Sequence, residues 1–243
     1  MSGFAWTCRE LPAPANISGR RLLAALGVGL AAAALAGTTT YYAVRLLTPV
    51  NSQVLAQVIV VQVYALLTTA LILAFRPVEE PPLGIRLSRL SDLALAFGAW
   101  LVIGAISALA YFLLRPAFGG VTDSLRKILI VATDVKRLQG QPKAAWAIAI
   151  PRGCLLVPFF EELFFRGALL EWLRHRLSDR SAMLVSAVLF AGMHVYPIAM
   201  PYAFISGVFT GWIRLRTRST LNTVFIHVLN NLVFLYLGFL FFR

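Results

Sequence analysis

Seven apolar runs limit what this chain can become, at about 22–43, 53–75, 93–114, 151–173, 181–196, 201–214 and 220–242. A run of roughly 18–20 such residues is long enough to cross a hydrocarbon core of about 30 Å as a helix. Inside lipid every backbone N–H and C=O needs an internal partner, which a helix supplies and an open strand does not. The sequence therefore predicts an all-α, polytopic membrane helix bundle with about seven transmembrane helices. Its 243 residues leave room for six to eight crossings and little else. Residues 1–19 are polar, hold Pro12 and Pro14, and read as a cytoplasmic tail; residues 20–243 read as a single membrane-embedded domain. The first apolar run is long and lacks a cleavage site, so no cleavable signal peptide is expected.

Hydrophobic residues make up 59% of the chain and charged ones 13%, and the net charge of +12 falls mostly in short segments between the runs. There Lys and Arg set topology and meet anionic head groups, so the charge points to the lipid bilayer as partner and away from nucleic acid. Counted segment by segment, the basic residues place the N-terminus on the cytoplasmic side of a multi-pass protein of the cell (inner) membrane. Residues 115–144 break that alternation. Within 117–144, Leu125, Ile128, Leu129, Ala132, Val135 and Leu138 fall on one stripe. That pattern fits an amphipathic helix lying on the membrane surface, or equally one packed on the protein. Asp92 reads as an N-cap for the third span and Arg115-Pro116 as its end. Cys8 and Cys154 lie far apart and signal neither a disulfide framework nor a metal cluster.

One feature conflicts with the apolar plan. Glu161-Glu162 sits inside the fourth run, where a carboxylate costs roughly 2.5–3.5 kcal/mol on insertion scales. Glu162 and Arg166 share a helical face at i, i+4 and are able to neutralise each other. Glu161 has no such local partner, which makes it the candidate reactive group. Pro158, three residues earlier, is expected to kink the span and open a polar cavity. Gly192, Gly207 and Gly211 would let helices approach closely around it. Two further spans carry polar residues: His194, four residues after Phe190, and His227, four residues before Asn231. Singly, each serves as well for interhelical hydrogen bonding as for chemistry.

Together, Glu161, His194, His227 and Asn231 suit hydrolysis. A carboxylate and an imidazole orient water and take its proton, while a second imidazole and an amide donate to the developing oxyanion. No Ser or Cys stands in a nucleophile motif; Ser186 and Ser206 read as small packing residues. One carboxylate and two histidines also make a possible zinc site, although two histidines at i, i+4 with a Glu between are absent. A non-catalytic immunity or scaffold protein using these residues as structural ties is the alternative from another class.

The set Glu161-Glu162-x-x-x-Arg166, Phe190-x-x-x-His194 and His227-x-x-x-Asn231 resembles the motifs of the CAAX-protease and bacteriocin-processing (CPBP or Abi) family. These are glutamic intramembrane endopeptidases that include the Ras-converting type of CAAX prenyl endopeptidase. The resemblance covers about residues 150–235. It implies that Glu161 is the catalytic carboxylate, His194 its partner in activating water, and His227 with Asn231 the oxyanion site. Glu162 and Arg166 match supporting positions. It also implies a helical membrane bundle and hydrolysis with no cofactor and no metal. The substrate would be a membrane-anchored protein or peptide, processed at a C-terminal sorting tail, a CAAX-like end or a leader. Neither scissile bond, prenylation of the substrate, the face to which the site opens, nor oligomeric state is legible in the residues.

Overall fold

A computed structural model describes residues 18–47, 51–75, 82–118, 135–194 and 197–241. Among the described residues there is no strand, and seven helices make up the bundle. They are α1 (Gly19–Leu47), α2 (Ser52–Phe75), α3 (Leu90–Phe118), α4 (143–174), α5 (Asp179–Met193), α6 (Met200–Thr217) and α7 (Thr220–Phe241). A single turn, Val135–Leu138, precedes α4. Four of the seven are long and apolar enough to cross a membrane: α1, α2, α3 and α7. Of the candidate polar residues, Glu161, Glu162 and Arg166 lie on α4 and His194 at the end of α5, whereas His227 and Asn231 lie on the apolar α7. Large apolar side chains such as Leu23, Leu35, Leu113, Val188, Met193 and Tyr236 point outward. In water so much exposed apolar surface would aggregate; in a bilayer it is the lipid-facing side.

Several boundaries differ from expectation. Asp92 stands inside the first turn of α3, where its charge complements the helix dipole, and is not the N-cap. α3 also runs through Pro116 to Phe118 without stopping at Arg115-Pro116. α4 begins at Lys143, ahead of the expected start at 151. α5 stops at Met193, leaving His194 as its non-helical C-cap (φ −83°, ψ 86°); Pro197 lies too near for a helix to continue far. Of the 117–144 segment, the described part packs on protein: Val135 and Leu138 are buried, the latter with Ala145 and Ala149 against Val54 and Trp146. Residues 119–134 of that segment, and 1–17 of the tail, lie outside the described residues.

α4 is the central element, touched by α2, α5, α6 and α7. Small residues permit this. A Cβ on Gly207 would stand 3.0 Å from Ala187, and one on Gly211 would stand 2.8 Å from Met183, so both glycines bring α6 against α5 as expected. Gly192 was expected to do the same and does not, since nothing lies within 4 Å of its Cβ position.

A strap closes one end of the bundle. Leu83 (φ 57°) and Gly84 (φ 67°) are both left-handed, which turns the chain beneath α4. Leu83 is fully buried against Gly167, and its carbonyl accepts from Thr220 Oγ1 at 2.6 Å. Arg86 donates to the Thr217 carbonyl, while the Arg86 carbonyl accepts from Ser219 Oγ at 2.8 Å. The Arg214 guanidinium covers Gly84, where a Cβ would be 2.6 Å away, and pairs with Glu171 Oε1 at 3.2 Å. Glu171 also binds Arg174 at 2.9 Å, and Arg174 reaches Asp179 at 2.8 Å. The strap thus ties the start of α3 to the ends of α4 and α6 and the start of α7.

Gly207→Ala overpacks the α5–α6 contact and is expected to cost about 1–3 kcal/mol. Gly192→Ala, placed in open space, should stay within about 0.5 kcal/mol. Thermal unfolding of the two purified variants in the same detergent checks the contrast.

Candidate active site

α4 is not a uniform helix. It consists of α-helical Lys143–Pro151, a π-helical turn Arg152–Leu156, α-helical Val157–Glu162, a second π-turn Leu163–Leu169 and α-helical Leu170–Arg174. Every junction residue stays in the right-handed helical region, so the axis is continuous. The cause of the first π-turn is legible. Pro158 has no N–H to give the ladder. The Val157 N–H reaches back to the Arg152 carbonyl, and the next bond in that pattern, from residue 158 to Gly153, has no donor. Asn231 Nδ2 of α7 fills the gap, donating to the Gly153 carbonyl at 2.8 Å. In the second π-turn the Phe165 carbonyl accepts from the Leu170 N–H and from Ser186 Oγ of α5 at 3.2 Å. Each π-turn therefore offers a carbonyl to a neighbouring helix, and the glutamates lie between the two. Ser186 is a tie and not merely a small packing residue.

Glu162 is 1% exposed, and its two oxygens are divided between neighbours. Oε2 lies 3.3 Å from Arg166 Nε, the pairing expected at i, i+4. Oε1 accepts from His227 Nδ1 of α7 at 3.0 Å. Thr223, one turn before His227 and fully buried, lies beside the Glu162 side chain, while its hydroxyl donates to the Thr220 carbonyl at 2.8 Å. The Arg166 guanidinium lies over the Phe190 ring of α5, 4.3 Å from its centroid. Such a stack supplies a further favourable contact to a buried cation.

Glu161 points elsewhere. Its side chain is 23% exposed, and Oε2 stands 3.8 Å from His227 Nε2. His227 thus spans both glutamates. His194, Glu162 and Arg166 also lie within electrostatic range of Glu161. His194 Nδ1 donates to the Phe190 carbonyl at 2.9 Å, which satisfies a carbonyl left without a partner at the end of α5. The Phe190 ring is edge-on to both imidazoles, 4.9 Å from His194 and 5.9 Å from His227.

These contacts fix the ring tautomers. A carbonyl and a carboxylate both accept, so each Nδ1 carries the proton and each neutral ring keeps its lone pair on Nε2. At His194 that lone pair is available to a water. At His227 it would face the Glu161 carboxylate, a repulsive pairing unless one proton resides between them.

The structure therefore joins Glu161, Glu162, Arg166 and His227 directly and brings His194 close through Phe190. Asn231 stands apart from the carboxylates, bonded to backbone. Thr223 was missed, although its place four residues before His227 puts it on the same face and was a usable signal. Among the described residues no three His, Cys, Asp or Glu side chains converge as a metal-ligand set.

Residues 143–233 match the family model described as type II CAAX prenyl endopeptidase Rce1-like. The segment that bears the site is Rce1-like. This is the resemblance read from the motifs, and the family is one of CAAX-type membrane proteases. The Rce1-like segment opens at the first residue of α4 and ends within α7, so it holds all six candidate residues and excludes α1–α3. No curated protein and no solved structure matches the chain.

Asn231→Ala removes the only donor that the described contacts give to the Gly153 carbonyl. A buried acceptor left unpaired costs about 1–3 kcal/mol, so the variant should unfold at lower temperature. Asn230→Ala is the comparison, because among the described residues the Asn230 side chain hydrogen-bonds only to Ser206 Oγ, at 3.5 Å; a smaller loss is expected there.

Proposed function

We propose that the chain is an intramembrane endopeptidase that hydrolyses a peptide bond of a membrane-associated protein or peptide, with Glu161 as the group that activates water. The observation that carries this reading is the placement of His227 between the two glutamates, 3.0 Å from one and 3.8 Å from the other. A structural ion pair needs only Glu162 and Arg166. The additional imidazole against a partly exposed second carboxylate is an arrangement that holds and moves a proton.

In this reading Glu162, held by Arg166, orients His227 through Nδ1. Glu161 takes the proton of a water, and the Nε2 lone pair of His194 helps to align that water. As the water oxygen bonds to the carbonyl carbon, negative charge moves onto the carbonyl oxygen. The Nε2–H of protonated His227 and the second amide hydrogen of Asn231 are the donors assigned to it. Collapse breaks the C–N bond, and the proton held at Glu161 passes to the leaving nitrogen. The substrate class follows from the family and the membrane setting: a C-terminal sorting tail, a CAAX-like end or a leader. Residues 20–243 would form one protease domain in the cell (inner) membrane, with the N-terminus cytoplasmic.

The test is cleavage by the full chain in liposomes of a quenched fluorogenic peptide ending in a prenylated CAAX sequence, alongside co-expressed tagged membrane-anchored proteins. Glu161→Gln should lower turnover by about 10²–10⁴-fold, the range of a positioned general base, with unfolding temperature unchanged. A zinc chelator should have no effect. Activity lost to chelator would replace this reading with the metal one. A Glu161→Gln protein as active as wild type in the cell would favour a structural role for the cluster.

A further inference from the structure

We propose that Tyr64 of α2 is a further catalytic residue, its hydroxyl donating a hydrogen bond to the carbonyl oxygen under attack from a helix outside the Rce1-like segment. The inference rests on the hydrolytic reading above. Its first support is placement. The Tyr64 ring packs edge-on against Phe160, the residue before Glu161, with centroids 5.4 Å apart. Val61, one turn earlier on α2, lines a cavity of about 540 Å³ whose other walls include Arg152, Phe159 and Val228. Tyr64 at i+3 shares that face of α2.

Its second support is electrostatic and chemical. The Tyr64 hydroxyl is within range of the Glu161 carboxylate and of Arg152. The Tyr64 ring is half-buried, and none of the described residues forms a hydrogen bond with its hydroxyl. Buried or half-buried tyrosines ordinarily find such a partner. The donors assigned from the motifs are meanwhile partly committed: one Asn231 amide hydrogen goes to Gly153, and one His227 ring nitrogen goes to Glu162. A neutral phenol that keeps its proton suits the remaining task. When water adds, its proton passes to Glu161 and the carbonyl π electrons move onto oxygen, where Tyr64 O–H donates.

The experiment has two arms on the full chain. In the first, Tyr64→Phe is compared with wild type on the prenylated fluorogenic peptide in liposomes. The expected result is a kcat reduced on the order of 100-fold with KM and unfolding temperature unchanged; equal kcat overturns the proposal. In the second, both proteins are labelled with 3-fluorotyrosine, and the Tyr64 resonance is assigned as the one missing from Tyr64→Phe. That resonance should shift in Glu161→Gln, and a resonance that stays in place overturns the proposal without reference to any substrate. If wild type leaves the peptide uncut, the failure belongs to the substrate reading, and the second arm alone decides the position of Tyr64.

Discussion

Everything near the centre of this bundle follows from one buried carboxylate. Glu162 is almost fully enclosed, and an isolated charge there would be strongly unfavourable in so apolar a setting. Its two oxygens consequently draw a guanidinium from its own helix and an imidazole from α7, with Thr223 beside them. The pairing with Arg166 is local, whereas the bond to His227 joins residues 65 positions apart. Removing one partner of such a group is far more costly than the net gain of forming it, commonly about 3–5 kcal/mol. The cluster is thus better understood as fixing how α4 and α7 meet than as a source of overall stability. The position of His227 against Glu161 is a result of that fixing.

The same logic governs the backbone. A helix in an apolar environment has no water to rescue an unpaired carbonyl, yet Pro158 sits one turn before the acidic pair. The π-turn converts that defect into an attachment point, with Gly153 held from α7 and Phe165 held from α5. Two side chains, Asn231 and Ser186, act as substitutes for missing or stretched ladder bonds. π-Turns recur at functional sites for this kind of reason, since they aim side chains that a regular helix would direct elsewhere.

Much of this was legible in the residues. Apolar runs located the seven helices because lipid-facing and core-facing positions alike are apolar, and a span announces itself by length. The Glu162–Arg166 pair followed from helical spacing alone. Helix ends were less legible: α3 runs on through Pro116, and α4 begins at Lys143 and runs through Pro151, so neither proline marks the boundary expected beside it. Gly192 shows the limit of reading small residues as contact sites, since a glycine packs only if a partner faces it. The bond between His227 and Glu162 was out of reach, because spacing within a helix says nothing about which residue of another helix lies opposite. Asn231 is the same case; its role depends on a carbonyl freed by a proline 73 positions away, which no pattern along α7 records.

The strap beneath α4 bears on how this protein is made. Leu83, Arg86 and Ser88 leave the ribosome well before Thr217, Ser219 and Thr220, their partners 131 to 137 residues later. Until α6 and the start of α7 have been synthesised, the left-handed turn at Leu83-Gly84 lacks its later partners, and Gly84 has no Arg214 guanidinium to cover it. Closure of that end of the bundle is accordingly a late, post-insertional event that registers whether the whole chain has arrived. An excised 143–233 would contain the six motif side chains but would lack both Tyr64 and the strap beneath Gly167.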